Sequence, residues 1–135
     1  MSAKSYEGRC HCGAVGWRYE AEPERATVCS CTVCRKTGTM WIYGTKDETV
    51  FVDGPTQSYT RADSGDLEFH FCPTCGNLQS WQPTEKPAET GYRLAVNLRL
   101  AEPQLVAHIP IHRFDGLETW KSVDSQNRTV ADYWF

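Results

Sequence analysis

The chain has 135 residues, of which 40% are hydrophobic and 23% are charged, and its formal net charge is -3. This composition is typical of a globular protein and excludes a disordered one, and the length predicts a single domain over residues 1–135. The chain has no basic tail or arginine run, so we do not expect it to bind nucleic acid, because phosphate binding requires clustered positive charge.

Neither a signal peptide nor a membrane span is predicted. The first residues have no apolar core, and no apolar run approaches membrane-spanning length. We therefore expect a cytoplasmic protein without a membrane partner. In a reducing compartment the seven cysteines favour metal binding over disulfides, and an odd number cannot pair completely within one chain. One closed zinc site with four thiolates and one open zinc site with three would account for all seven.

The start of the chain predicts three short strands, at residues 6–10, 14–20 and 26–29. Cys10 and Cys12 come at the end of the first strand, and residues two apart on an extended backbone point to the same face. The imidazole of His11, between them, points to the opposite face and is a poor ligand candidate.

The third predicted strand leads into the most compact cysteine group, Cys29, Cys31 and Cys34. Cys29 and Cys31 would share a face with their Cα atoms roughly 6.6 Å apart, which is near the upper limit for a disulfide. Two thiolates on a tetrahedral zinc are only about 3.8 Å apart, and side chains on one face can lean together over that distance. A helical turn over residues 32–37, ended by Gly38, would bring Cys34 to the same ion.

The remaining sequence predicts strands at residues 40–43, 50–52, 57–60, 67–72, 78–82, 93–100 and 105–112. The strand at 67–72 runs into the segment Cys72-Pro73-Thr74-Cys75-Gly76, which has the shape of a zinc knuckle. The polar residues 83–90 predict a surface loop.

The C-terminal region predicts a short helix, because Asp115 and Glu118 fit a capping box ahead of Trp120. Taken together, the many short strands and few helical residues predict an all-β fold, either a small sandwich or a folded-over antiparallel sheet.

Two cysteine groups are the simplest partition of the seven. If Cys29, Cys31 and Cys34 form one group, Cys10 and Cys12 are left to join Cys72 and Cys75 in a closed four-thiolate site, and such a site contributes folding energy. Spacing alone leaves this partition open, because exchanging the pairs could also close a four-thiolate site.

The two groups would differ in chemistry. Zinc bound by four thiolates has no vacancy, whereas zinc bound by three keeps one coordination position for water or substrate. Three thiolates donate strongly, so this ion is a milder Lewis acid than one held by histidines and suits a soft ligand such as a thiol. A thiol loses its proton on binding zinc. The predicted chemistry is thiol activation, followed by attack on a small electrophile, or the reverse reaction.

A second closed site, with a histidine or carboxylate as fourth ligand, remains an alternative. His70 shares a strand face with Cys72, and a hydrogen-bonded strand histidine is the expectation there. His108 and His112 have helical spacing, but Pro110 between them favours a strand. A non-catalytic zinc module that binds a protein or a small ligand is the corresponding alternative function.

Basic and aromatic residues near the central cysteines are further candidates. Arg35 and Lys36 could hold the carboxylates of an acidic thiol or balance the thiolate charge, or they could be an exposed pair on a turn. We expect Trp41 and Trp120 to lie near the three-cysteine group.

The whole cysteine pattern, CxC…CxCxxC…CxxCG, resembles that of the glutathione-dependent formaldehyde-activating enzymes, a family that includes the centromere protein V domain. The likeness extends beyond the cysteines to residues 8–15 (GRCHCGAV), 71–76 (FCPTCG) and 112–120 (HRFDGLETW). It covers nearly the entire chain.

The resemblance implies a zinc-stapled fold of small antiparallel sheets, often called a β-tent, with two zinc ions per chain. It implies a structural ion on Cys10, Cys12, Cys72 and Cys75 and a catalytic ion on Cys29, Cys31 and Cys34. It also implies carbon–sulfur lyase chemistry, in which a small-molecule thiol such as glutathione adds reversibly to an aldehyde such as formaldehyde. With its open position, the catalytic ion would be the more labile of the two.

Overall fold

The structure, a computed structural model, describes residues 4–85 and 91–134. These residues form eleven strands, namely β1 (Tyr6–Arg9), β2 (Gly16–Tyr19), β3 (Ala26–Cys29), β4 (Trp41–Thr45), β5 (Val50–Asp53), β6 (Gln57–Thr60), β7 (Leu67–Phe71), β8 (Leu78–Pro83), β9 (Arg93–Asn97), β10 (Ile111–Asp115) and β11 (Lys121–Val123). The helical segments are α1 (Cys34–Thr37), α2 (Pro103–Val106), α3 (Val130–Trp134) and a 3-10 turn (Leu98–Leu100).

The strands form two sheets. The smaller sheet has the order β1-β2-β5, and the larger has the order β11-β10-β3-β4-β9-β8-β7-β6. Every named pairing is antiparallel except that of β10 with β3, which is parallel. The prediction of an all-β fold with minor helix is confirmed.

The main core lies between the small sheet and one face of the large sheet. Its buried residues include Trp17, Tyr19, Ile42, Val50, Leu94, Val96, Leu98, Val106, Ile109 and Val130. The indole Nε1 of Trp17 donates to the carbonyl oxygen of Asn97 at 3.0 Å. A Cβ on Gly8 would lie 2.7 Å from the Trp17 ring, so the backbone of β1 approaches the indole as only glycine allows.

The opposite face of the large sheet carries a second apolar cluster. Successive residues of a strand point to opposite faces, so Ile42 enters the main core while Trp41 and Tyr43 face the other way. Trp41 packs there with Phe69, Ala95, Cys31 and Cys34. The sheet therefore separates the main core from the compact cysteine group.

Most predicted strands are confirmed, but the strand predicted at 105–112 is wrong in its first half. Pro103 opens α2 as a first-turn residue, a position that its fixed φ suits, and the strand begins only at Ile111. The strand predicted at 93–100 ends at Asn97, whose side chain accepts from the backbone N–H of Arg99 and starts the 3-10 turn. Residues 86–90 of the predicted surface loop lie outside the described residues.

The helix predicted after Asp115 is also wrong, although Asp115 itself acts as a cap. The Asp115 carboxylate accepts hydrogen bonds from the backbone N–H groups of Leu117, Glu118 and Thr119. The segment then turns into β11 instead of continuing as a helix, and Trp120 takes the left-handed conformation at a φ of 58°. The carboxylate organises a turn and not a helix start.

No helix in the described part of the chain combines the length and the hydropathy needed to cross a membrane.

The side chain of Gln79 ties the two sheets together. From β8 of the large sheet, its Nε2 donates to the carbonyl oxygen of Gly16 at 2.7 Å and to that of Asp53 at 3.0 Å, in β2 and β5 of the small sheet. The residue is only 2% exposed. Water is therefore poorly placed to replace these bonds.

We expect Gln79→Ala to destabilise the fold by about 1–3 kcal/mol, because it leaves the carbonyl groups of Gly16 and Asp53, in a buried and a partly buried hydrogen bond, without their donor. The measurement is the denaturant midpoint with zinc held in excess. Gln57→Ala, at an exposed position of β6, is the control and should stay within about 0.5 kcal/mol of wild type. Equal midpoints for Gln79→Ala and wild type would contradict the cross-link.

Candidate metal centres

Four cysteine sulfurs meet at the end of the fold where the two predicted knuckles face each other. Cys10 and Cys12 follow β1, and Cys72 and Cys75 occupy the turn between β7 and β8. The four Sγ atoms lie within 4.8 Å of one another. The Sγ of Cys12 is 3.6 Å from that of Cys10 and 3.5 Å from that of Cys72. Zinc thiolates are about 3.8 Å apart, so this donor set fits a closed zinc site.

Backbone N–H groups point at these sulfurs and favour their ionised form. The N–H of Val15 donates to the Sγ of Cys10 at 3.3 Å. The N–H groups of Asn77 and Cys12 lower the pKa of Cys75 to about 6. Because metal binding requires deprotonated cysteines, these bonds prepare the group for a cation.

The side chain of Asn77 links the turn that carries Cys10 and Cys12 to the turn that carries Cys72 and Cys75. This residue was not identified from the sequence. Its Oδ1 accepts from the backbone N–H of His11 at 2.7 Å and lies 3.5 Å from the Sγ of Cys75. His11 is exposed and does not join the sulfur group in the structure, as its place between Cys10 and Cys12 predicted. An asparagine just after a CxxCG segment is the local signal that could have been used.

The compact cysteine group is separate from the first. Cys29 ends β3, Cys31 follows it, and Cys34 begins α1, which ends at Gly38 in the left-handed conformation. The three Sγ atoms lie within 4.8 Å of one another. Among residues 4–85 and 91–134, no histidine, aspartate, glutamate or further cysteine completes this group as a fourth ligand. The arrangement fits a metal ion that keeps one position for another molecule.

The sulfurs of this second group are strongly coupled. A hydrogen bond from Cys34 lowers the pKa of Cys29 to about 6, and the same bond, with burial, raises the pKa of Cys34. The backbone N–H of Cys31 reaches the Sγ of Cys29 at 3.4 Å. The indole Nε1 of Trp41 donates to the Sγ of Cys34 at 3.3 Å. Within the Cys29–Cys34 pair, Cys29 is thus the thiol that ionises more readily.

Gly116 packs directly against the same sulfurs. A Cβ at this position would lie 2.7 Å from the Sγ of Cys29 and 2.7 Å from the Cβ of Cys31. The N–H of Gly116 also contributes to the lowered pKa of Cys29. The backbone of the turn after Asp115 therefore packs against the cysteine group, and only a residue without a side chain allows that approach.

A cavity of about 370 Å³ opens onto the three thiols. Its aromatic walls are Trp41, Tyr43, Phe69, Trp81, Phe114 and Trp120. Trp41 and Trp120 lie beside the group, as predicted, and Trp120 is 59% exposed and packs on Phe114 with ring centroids 5.9 Å apart. A small molecule could reach the thiols through a largely apolar passage.

Three arginines that the sequence analysis missed supply positive charge to this cavity: Arg25, Arg61 and Arg93. The Nη1 of Arg61 lies 3.9 Å from the Sγ of Cys31, and its Nη2 donates to Asp63 at 3.0 Å. Arg93 lies over the ring of Tyr43, 4.3 Å from the centroid. No local sequence signal marks them, because they are far apart in sequence and only the tertiary fold brings them to one cavity.

Arg35 and Lys36 are exposed on α1 and do not line this cavity. Arg35 instead lines a neighbouring cavity of about 430 Å³ that also contacts Cys29.

A chain of polar side chains crosses the large sheet beside the thiols. The Oγ1 of Thr27 lies 3.2 Å from the Nδ1 of His112, and the Nε2 of His112 lies 2.7 Å from the Oγ of Ser122. The Thr27 hydroxyl also interacts electrostatically with the hydroxyl of Tyr43. Burial raises the pKa of Tyr43, whereas burial and the charge of Arg25 lower the pKa of His112.

The other two histidines discussed above lie outside the cavity. His70 bonds to Thr56 at 3.0 Å and to Glu68 at 3.0 Å, as expected of a hydrogen-bonded strand histidine. His108 pairs with Glu22 at 2.9 Å. The helical spacing of His108 and His112 does not bring them to one site.

Comparison with known proteins identifies the same pattern. The family model described as "Glutathione-dependent formaldehyde-activating enzyme" matches residues 5–109, which include all seven cysteines. A Halomonas elongata protein named "Putative glutathione-dependent formaldehyde-activating enzyme" is 26% identical over 148 residues, covering 94% of this chain and 87% of that protein. A crystal structure of a Rhodobacter sphaeroides protein has a TM-score of 0.54 at 23% identity, covering 78% of this chain and 98% of that chain, a likeness of fold.

We expect Gly116→Ala to weaken metal binding at the three-thiol group, because the added methyl would displace Cys29. Zinc content after gel filtration should fall by up to one ion per chain, while the four-thiol group stays loaded. Leu117→Ala, at the exposed neighbouring residue, is the matched control and should retain wild-type metal. Unchanged metal content in Gly116→Ala would contradict the close packing.

Proposed function

Because the chain belongs to the family of glutathione-dependent formaldehyde-activating enzymes, we propose that it catalyses the reversible addition of a small thiol to an aldehyde such as formaldehyde. In the cleavage direction this is a carbon–sulfur lyase. The observation that carries the proposal is the group Cys29, Cys31 and Cys34 at the floor of a cavity, without a fourth protein ligand among the described residues.

We assign two zinc ions to each chain. The first, on Cys10, Cys12, Cys72 and Cys75, is structural, and the second, on Cys29, Cys31 and Cys34, is catalytic. When bound there, the second ion would offer a coordination position at which an incoming thiol gives up its proton at neutral pH. The donor chemistry and the sulfur spacing of both groups support the assignment.

The residues around the three thiols orient them and form largely apolar walls. Trp41 fixes Cys34 through its indole N–H, and the aromatic walls lower the local polarity, which strengthens the charge interactions inside. Arg25 and Arg93 favour an anionic ligand, and Arg61, which is paired with Asp63, contributes less. The positive charge of these arginines would attract the two carboxylates of glutathione, or those of a similarly acidic thiol.

We further propose that residues 1–135 act as one zinc-binding domain and that the protein works in the cytoplasm. A reducing compartment would keep seven unpaired thiols available for metal. Both partners of the reaction are small molecules.

Activity should depend on the second cysteine group and folding on the first. We expect Cys31→Ser to abolish acceleration of adduct formation while the thermal midpoint stays near that of wild type. Cys72→Ser should unfold the domain, since structural zinc contributes roughly 10–16 kcal/mol in small zinc domains and total stabilities are only about 5–15 kcal/mol. Circular dichroism and zinc content check both variants. If both unfold equally, the second group is also structural, and a non-catalytic zinc module becomes the better hypothesis.

The substrate can be tested with zinc-loaded protein, formaldehyde and a panel of thiols comprising glutathione, cysteine, cysteamine and coenzyme A. We expect exchange between free and adduct thiol, followed by NMR, to be fastest with an acidic thiol, because arginines line the cavity. Cysteamine, which has no carboxylate, is the matched control. Failure to accelerate exchange with any thiol would overturn the proposed function.

A further inference from the structure

We infer that the hydroxyl of Tyr43 is the acid–base group of the reaction, and that Thr27 and His112 connect it to solvent at the sheet edge. This inference rests on the proposed function. It adds a catalytic residue, Tyr43, and two positioning residues to a site otherwise defined by its cysteines.

The chain of polar side chains is built by strand pairing, and its observed hydrogen bonds join His112 to Thr27 and to Ser122. Neighbouring strands β11, β10, β3 and β4 each contribute one member, in the order Ser122, His112, Thr27 and Tyr43. His112 and Thr27 are direct register partners in the parallel pairing of β10 with β3. Ser122 lies on the edge strand, where all three residues are exposed. The chain therefore runs across one sheet face, from solvent to the cavity.

Tyr43 is well placed to meet the aldehyde oxygen. It lines the cavity that holds the three thiols, together with Thr27 and His112. Both ring nitrogens of His112 already lie within hydrogen-bond distance of a hydroxyl, at 3.2 Å and 2.7 Å. His112 therefore acts through Thr27, and Tyr43 is the member that can touch substrate.

The other titratable groups that line the cavity are poorer candidates. Cys29, Cys31 and Cys34 are the assigned metal ligands. The arginines stay protonated at neutral pH and cannot exchange a proton in turnover. Tyr43 and His112 are thus the pair, among the described lining residues, that can move a proton.

In the addition direction, the electron pair of the substrate thiolate forms the C–S bond, and the carbonyl π pair moves onto oxygen. That oxygen takes the proton of the Tyr43 hydroxyl. The Tyr43 oxygen takes the Thr27 hydroxyl proton, Thr27 takes the proton of His112 Nδ1, and His112 Nε2 takes one from Ser122 or water. The proton that the thiol released on binding balances the one taken up, and cleavage reverses each transfer.

Tyr43→Phe removes the hydroxyl and keeps the ring. We expect the exchange rate, measured with the thiol that wild type accelerates most, to fall roughly 100-fold or more, in the range of general acid–base catalysis. Zinc content and the KM for the thiol should not change. Tyr59→Phe, at a tyrosine that is 48% exposed and outside this cavity, is the matched control and should keep the wild-type rate.

A binding measurement gives a readout that does not depend on turnover. The 2-hydroxyethyl and propyl thioethers of that thiol differ mainly in a hydroxyl placed near the adduct oxygen. In calorimetry, wild type should bind the hydroxyethyl compound more tightly than the propyl compound, and Tyr43→Phe should bind the two with similar affinity. If Tyr43→Phe keeps both the exchange rate and the preference, the role of Tyr43 is overturned.

Thr27 is tested by a pair of variants. Thr27→Val should lower the exchange rate at unchanged zinc content, whereas Thr27→Ser, which retains the hydroxyl, should restore it. Equal rates for both variants and wild type would overturn the connection to His112. If wild type does not accelerate adduct exchange with any thiol of the panel, the proposed function itself fails, and the inference fails with it.

Discussion

The parallel pairing of β10 with β3 is the contact on which the three-thiol group depends. It is the one parallel pairing among the named strands, and it sets Phe114 opposite Cys29 and His112 opposite Thr27. On its other side, β3 shares a single register pair with β4, between Thr27 and Trp41. The backbone that presents Cys29 is therefore held mainly by a strand more than eighty residues away in sequence.

The two cysteine groups differ in the residues that surround their sulfurs. Asn77 hydrogen-bonds across the two turns that carry the four-thiol group, and backbone N–H groups surround its sulfurs. The three-thiol group has N–H donors from its own turn and from Trp41, but it faces a cavity walled by aromatic rings. The same side-chain type thus forms one group with four sulfurs and another with three sulfurs at an aromatic cavity.

The sequence predicted features that depend on local spacing. The short spacing in the CxC and CxxCG segments brings their sulfurs close together through local backbone geometry. The alternation of apolar and polar residues around Phe69 predicted β7. It missed Tyr43, Arg61 and Arg93, because only sheet order brings them to the cysteines. Two local patterns misled: residues 103–106 form one helical turn too short to show a period, and the cap at Asp115 closes a turn that enters β11. Pro103 favours the helical turn locally, whereas pairing of β11 with β10 decides the outcome after Asp115.

The late position of β10 has a consequence for how the protein matures. As the chain emerges from the ribosome, all seven cysteines and the strands of the smaller sheet are made before residue 111. Pairing across so long a separation closes slowly, since loop-closure entropy must be overcome first. The four-thiol group can capture metal while Cys29, Cys31 and Cys34 still lack Phe114, Gly116 and Trp120 around them. Nascent chains would then pass through an interval in which these three thiols are already present but unshielded from oxidants and from metal ions in solution.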